Sequence, residues 1–344
     1  MAVRPVPDLR VAIIGAGYWG PNLVRNFSEA PGGEAVAVAD LSEERLAAIK
    51  KRFPAVRTTR DHRELFADKN VDAVCIVTPI STHRALAEEA LAARKHVFVE
   101  KPLAGTVADA EAIVRAAERA GRTLMVGHTF VYNPAVTTVR GLLERGELGT
   151  VQYIDSQRVN LGLHQFDFNV LWDLGPHDVS ISLYWLGEEP EWVQCIGACF
   201  VQPGIEDVVF LTMGFPSGAI AQAHLSWLAP SKLRRMAVIG SKKMAVYDDT
   251  EAAERVKVYD HGVESLSSEE LRRSYRAGDI HSPRVAITEA LQLEVRHFIE
   301  CVRDGATPRS DGPAGLQVVR VLEAGMRSLR QDGARVAYRE PARV

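Results

Sequence analysis

From residue 11 to about 126, short apolar runs rich in β-formers alternate with longer stretches in helical spacing. The runs are VAIIG (11–15), AVAVAD (35–40), VDAVCIVT (71–78), HVFVE (96–100) and TLMVG (123–127), and between them lie SEERLAAIKKRF, THRALAEEALAARK and VADAEAIVRAAERAG. This alternation predicts βαβ units and a parallel sheet. Runs that are apolar nearly throughout suit strands covered by helices on both faces, so this part is read as a doubly wound α/β sheet. After Gly127 the pattern changes. Helices are expected over 134–145 and about 173–187, whereas 190–260 carries period-2 runs. Within Gly218 to Leu228, Ala219, Ala221, Ala223, Leu225 and Trp227 alternate with Gln222, His224 and Ser226, as in a sheet with one packed and one wetter face. Two helices close the chain: Ile287, Leu291, Val295, Phe298 and Val302 form a stripe before Gly305, and a second segment covers 313–331. The change of period sets two domains, 1–126 and 127–344, with the closing helices able to pack back on the first. The second is expected to be α+β with an open, mostly antiparallel sheet.

Composition narrows the class of partner. A length of 344 residues accords with two domains of about 100 to 200 residues each. With 41 Lys+Arg against 44 Asp+Glu, the net charge of −3 supplies no basic field for a nucleic-acid backbone. No apolar run approaches the ~18 residues of a membrane span, and MAVRPVPDLR has no signal-type apolar stretch, so a cytoplasmic protein with no membrane partner is expected. Cys75, Cys195, Cys199 and Cys301 form no CxxC pair or disulfide framework, and are read as small buried hydrophobes in a reducing compartment.

The first candidate chemistry follows the first strand. Gly15-Ala-Gly17-Tyr18-Trp19-Gly20 is a GxGxxG: the first glycine permits a tight turn, the second a close approach to a pyrophosphate, and the third close packing of helix on strand. The helix N-terminus then faces the phosphates. Asp40 ends the second strand 20 residues after Gly20, where a carboxylate accepts hydrogen bonds from an adenosine ribose. That carboxylate repels a 2′-phosphate, which favours NAD over NADP, while Arg45 is the residue that could reverse the preference.

A second constellation lies further on. Glu100-Lys101-Pro102 puts a lysine at the carboxyl end of a strand, the edge where open α/β sheets bind ligands. Asp173 and His177 stand at i and i+4, so both project from one face if helical, with Gly175 and Pro176 suited to a first turn. Each also has a plainer reading: Lys101 as a solvated strand end, Asp173 as a helix cap, His177 as a buried, satisfied histidine. Taken in order, GAGYWG, Thr78-Pro79 with Thr82-His83, Glu100-Lys101-Pro102 and Asp173-x-x-x-His177 resemble the glucose-fructose oxidoreductase, inositol dehydrogenase and rhizopine-catabolism family (Gfo/Idh/MocA) over nearly the whole chain. The resemblance implies a Rossmann domain, an α+β domain with the active site between them, and a cis bond before Pro102. It further implies that Gly15, Gly17, Tyr18, Trp19, Gly20, Asp40, Thr78, Pro79, His83, Glu100 and Lys101 serve the cofactor, and that no metal takes part. For alcohol oxidation, His177 is assigned as acid/base, Lys101 as the cation that stabilises charge on oxygen, and Asp173 as the residue that orients His177 or the substrate.

The substrate is less legible. The segment Gly127-His128-Thr-Phe-Val-Tyr-Asn133-Pro134 offers Asn133, and VQYIDSQRVN offers Arg158 and Asn160. Arg272, Arg273, Arg276 and Arg284 could grip a diphosphate, or form a solvated basic loop. GYWGPNLVRNF and VLWDLGPHDVSI resemble the subgroup of nucleotide-sugar 3-dehydrogenases. A cyclitol dehydrogenase, a 3-ketosugar reductase and a nucleotide-sensing regulator remain as alternatives, and a homodimer or homotetramer is expected because family members pack their open sheets face to face.

Overall fold

The computed structural model describes residues 8–162, 168–264 and 274–339, which divide into two compact units, 8–132 with 288–319 and 133–287 with 320–339. The first unit opens with β1 (Leu9–Ile14), α1 (Gly20–Glu29), β2 (Gly33–Ala39), α2 (Glu43–Arg52), β3 (Arg57–Thr59), α3 (His62–Ala67), β4 (Ala73–Ile76), α4 (His83–Ala92), β5 (His96–Glu100), α5 (Val107–Ala120) and β6 (Leu124–Gly127). Its six strands are parallel, in the order β3-β2-β1-β4-β5-β6. The order reverses between β1 and β4, and the crevice at the carboxyl ends beside that switch is where such sheets take ligands. The expected strands all form. The added β3 is a three-residue Arg-Thr-Thr edge, too short and polar to mark itself by pattern. Local chemistry explains the helices: on α2 the Ser42 hydroxyl accepts the Arg45 N–H, with Glu43 and Glu44 in the first turn and Lys50, Lys51 and Arg52 in the last.

The second unit contains α6 (Pro134–Glu144), β7 (Val151–Leu161), α7 (Val170–Leu186), β8 (Trp192–Ala198), β9 (Val208–Gly214), β10 (Ile220–Ser226), β11 (Leu228–Gly240), β12 (Met244–Asp248), β13 (Val256–Glu264) and β14 (Ser274–His281). The chain closes with α8 (Ala290–Asp304), α9 (Gly312–Leu329) and β15 (Val336–Ala337). Nine strands in the order β14-β13-β12-β11-β7-β10-β9-β8-β15 form one sheet, antiparallel except where β10 runs parallel to β7. Helix α7 packs on β7, β9 and β10, and the alternation along β10 is as expected: Ala221, Ala223 and Leu225 are buried, while Ile220 and Gln222 are exposed. Ser226 departs from it and is buried, at the point where the chain turns into β11. The opposite face of the sheet leaves Tyr153, Ile196, Phe210 and Ile220 exposed.

Helix α8 belongs to the first unit, where Phe298 meets Phe27 and Phe98 edge to face at 6.2 and 5.8 Å. The unit also extends past residue 126, because the Tyr132 hydroxyl and the Val126 carbonyl both hydrogen-bond the Ser310 hydroxyl. The division between units falls inside α9, after Val319. Cys75, Cys195 and Cys301 are buried as expected, whereas Cys199, just past β8, is exposed. Among the described residues no helix is long and apolar enough to cross a membrane.

Candidate functional site

The glycine loop joins β1 to α1. Gly15 has φ +106° and a Cβ there would lie 2.5 Å from the Val77 carbonyl oxygen; a Cβ on Gly20 would lie 2.4 Å from the Gly15 oxygen. Gly17 has nothing within 4 Å of where its Cβ would be, which keeps the approach to the backbone open. Helix α1 begins without a side-chain cap, so its positive end is presented to an anion. Asp40, after β2, accepts the Ala16 N–H on Oδ2 at 2.7 Å and the Ser42 N–H on Oδ1 at 2.8 Å, which locks the carboxylate against the loop. Arg45 stands 3.8 Å from Asp40 with its own side chain mostly exposed, a loose ion pair. Tyr18 and Trp19 meet edge to face at 5.3 Å and are both exposed on the loop. These features fit an NAD with its pyrophosphate over Gly17 and its adenosine ribose at Asp40.

Thr78, Pro79 and Lys101 lie on the same carboxyl edge, after β4 and β5. The Thr78 and Thr82 hydroxyls are 2.6 Å apart. His83 has other work than the expected cofactor contact: it is buried, with Nε2 2.9 Å from the Thr78 carbonyl and Nδ1 3.1 Å from that of Pro102, so it braces the loop after β4 against the loop after β5. Burial lowers its pKa. The Lys101–Pro102 bond is cis, as the resemblance implied.

Behind Lys101 lies a set of buried ionisable groups that the motif reading only partly foresaw. Glu100 accepts the Lys101 N–H at 2.9 Å, and burial raises its pKa to about 7. On α8, Glu294 is fully buried and accepts the Thr129 hydroxyl at 2.7 Å; burial, and then the neighbouring Glu100, push its pKa well above the usual carboxylate range. His128 is also buried, and burial followed by the charge of Lys101 lowers its pKa to about 3, so the ring is neutral. The sequence signal for Glu294 was a carboxylate beside Leu291, Val295 and Phe298 on an apolar stripe.

In the second unit, Asp173 and His177 lie one turn apart on α7, on one face as their spacing required. The helix starts earlier than expected. Asn169 caps it, accepting the Trp172 N–H at 3.3 Å, so Pro176 is interior rather than in the first turn, and Asp173 is not the cap. Asp173 Oδ2 accepts the indole N–H of Trp227 at 3.0 Å. Trp227, which the pattern marked only as a packing residue, was missed as a partner of the site.

The expected substrate contacts fare differently. Arg158 is buried and pairs through Nε with the buried Asp178 of α7, whose other oxygen takes the Ser156 hydroxyl. That pair ties Arg158, expected as a substrate contact, to α7 inside the unit. Asn133 caps α6 through the Ala135 N–H at 2.9 Å and donates to the Tyr247 hydroxyl at 3.2 Å, again structural work. Asn160 is half-buried, on the face of β7 that carries Ser156 and Arg158. Arg272 and Arg273 lie outside the described residues. Arg276 is paired with Asp260 at 2.9 Å, and Arg284 is exposed.

A parallel sheet with a glycine turn beside its switch point and an acid closing the second strand defines a dinucleotide-binding protein of the doubly wound class. The chain belongs to the Gfo/Idh/MocA oxidoreductase family: residues 9–128 match its model described as oxidoreductase family, NAD-binding Rossmann fold, and residues 136–246 match the GFO/IDH/MocA C-terminal domain. It is similar to D-apiose dehydrogenase of Paraburkholderia graminis, 28% identical over 95% of this chain and 89% of that protein. UDP-N-acetylglucosamine 3-dehydrogenase of Acidithiobacillus ferrooxidans is 27% identical over 90% of this chain and 94% of its own. A crystal structure of that enzyme aligns with a TM-score of 0.80 over 95% of this chain and 99% of its own, at 25% identity. GenD2 of gentamicin A biosynthesis, solved in complex with NAD, aligns at 0.82 over 98% of both chains with 26% identity. The chain is therefore an NAD-binding dehydrogenase acting on CH–OH groups.

Proposed function

We propose that this dehydrogenase oxidises a secondary hydroxyl of a sugar, at C3 of a nucleotide sugar, and that Lys101, Asp173 and His177 are its catalytic residues. The observation that carries the chemistry is the pair on α7: an imidazole one turn from a carboxylate that is itself held by a buried indole. Bound NAD supplies the hydride acceptor. His177 takes the hydroxyl proton as the carbon is oxidised, a task for which histidine is suited near neutral pH. Asp173 orients the ring and offsets the positive charge it gains. Lys101 stabilises the charge that develops on the oxygen. Run in reverse, the same groups reduce a ketone.

The nucleotide-sugar substrate rests on the likeness to UDP-N-acetylglucosamine 3-dehydrogenase and on the GYWGPNLVRNF and VLWDLGPHDVSI segments. A nicotinamide-absorbance panel with NAD and NADP against nucleotide sugars, free sugars and inositols tests it. Turnover with UDP-sugars and NAD is expected. Failure with every UDP-sugar alongside success with free inositols or aldoses overturns the substrate class, and binding of NAD without turnover of any alcohol overturns the enzyme reading.

A further inference from the structure

Trp227 is the only residue between β10 and β11, and the two strands lie on opposite sides of β7, so the chain swings around the end of that strand at this point. Its backbone is pinned on both sides: the N–H donates to the Asp207 carbonyl at 3.0 Å, and the carbonyl accepts the Gly162 N–H at 2.9 Å. The side chain is 1% exposed. Gly162 leaves the space the ring fills, because a Cβ there would stand 2.9 Å from Trp227 Cδ1. An indole has one polar function, a single N–H donor that is fixed once its two side-chain torsions are fixed. Here that donor meets Asp173 Oδ2 at 3.0 Å, a charge-assisted hydrogen bond whenever the carboxylate is ionised. Asp173 itself is held from the other side by its place in the first turn of α7, where its N–H bonds the Asn169 carbonyl at 3.2 Å.

We infer that Trp227 is a positioning residue for the reaction: its indole N–H holds the Asp173 carboxylate at a fixed angle toward the next turn, where His177 stands. The inference rests on the catalytic reading of Asp173 proposed above. It explains why a tryptophan, rather than another large apolar residue, fills this corner: packing alone would need no donor at that point of the ring. A shift of about 1 Å in a catalytic group costs up to about 100-fold in rate, so losing this one restraint should register in turnover more than in binding.

The test is a double-mutant cycle of Trp227→Phe with Asp173→Ala, with turnover measured using NAD and UDP-N-acetylglucosamine, or a free inositol if wild type prefers it. Trp227→Phe should keep the melting transition cooperative, lower kcat about 10-fold or more, and leave KM and the NAD Kd within about twofold. In the Asp173→Ala background the same change should have almost no further effect. Effects that multiply instead would mean that the indole does not act through Asp173, and would overturn the inference. If Asp173→Ala leaves kcat unchanged, it is the catalytic reading of Asp173 that fails. Should Trp227→Phe not fold, Gly162→Ala displaces the ring without removing it and should give the same kcat loss, again absent in Asp173→Ala. A readout that needs no substrate is the indole 15N–1H resonance of Trp227: it should move on Asp173→Ala, and an unmoved resonance refutes the contact.

Discussion

Asp40 uses both carboxylate oxygens on backbone N–H groups, those of Ala16 in the glycine loop and Ser42 at the start of α2. The acid proposed to take the ribose is therefore also a clamp on the glycine loop. Asparagine cannot accept on both sides, since its amide nitrogen would face an N–H. Asp40→Asn should weaken NAD binding about tenfold or more and narrow the preference over NADP, as read by Kd values for the two cofactors. An unchanged ratio would count against Asp40 as the discriminating residue. Glu100 makes a different prediction. Burial holds its pKa at about 7 against an ordinary 4.5, so between those values the folded chain binds more protons than the unfolded one. The stability this brings is complete below the ordinary value and is lost as pH rises through about 7. Glu100→Gln cannot ionise, so urea midpoints measured near pH 5 and near pH 8 should fall further for wild type than for the variant. An equal fall in both would mean that Glu100 ionises at an ordinary value. At this scale motif spacing is what marks Lys101 and His177 as candidates. Trp227 and Asp178 were not, because their partners are distant in sequence and period-2 burial hides what an indole or a carboxylate does once buried.

Helix α7 is the element that gathers the second unit's chemistry, and its start decides where that chemistry sits. Removing the cap with Asn169→Ala should cost about 1 kcal/mol and lower the melting temperature. Because Asp173 lies in the first turn, the same change should reduce kcat, and unaltered kcat at a reduced melting temperature would mean that the first turn holds without its cap. The sequence placed α7 three residues late, since Gly175-Pro176 looks like a helix start. The helix instead runs through Pro176, anchored upstream where the Asn169 side chain bonds Glu206 at 2.6 Å and the Val170 N–H bonds the Glu206 carbonyl. The strands of the parallel sheet were read closely because burial on both faces leaves continuous apolar runs. Strand β3 escaped because it pairs only at an edge, where nothing demands that pattern.

At the scale of the whole molecule, two sheets of different grammar divide the proposed chemistry: Lys101 ends a strand of the parallel sheet, and His177 rides on the helix that covers the open one. The net charge of −3 says little about binding, because the charges that matter are locked in local pairs such as Arg158–Asp178 and Arg276–Asp260. The change of period near residue 127 made the two-part organisation legible. The return of 288–319 to the first unit was expected only as something the closing helices were able to do, since a helical stripe does not name the surface it covers. The central claim is that cofactor binding and proton transfer are separate tasks of separate residues. It is tested most directly by measuring kcat and the NAD Kd together for His177→Ala. The account predicts that kcat falls about 100-fold or more while the NAD Kd stays within about twofold. Turnover that survives the substitution, or that is lost only in step with NAD binding, would contradict it.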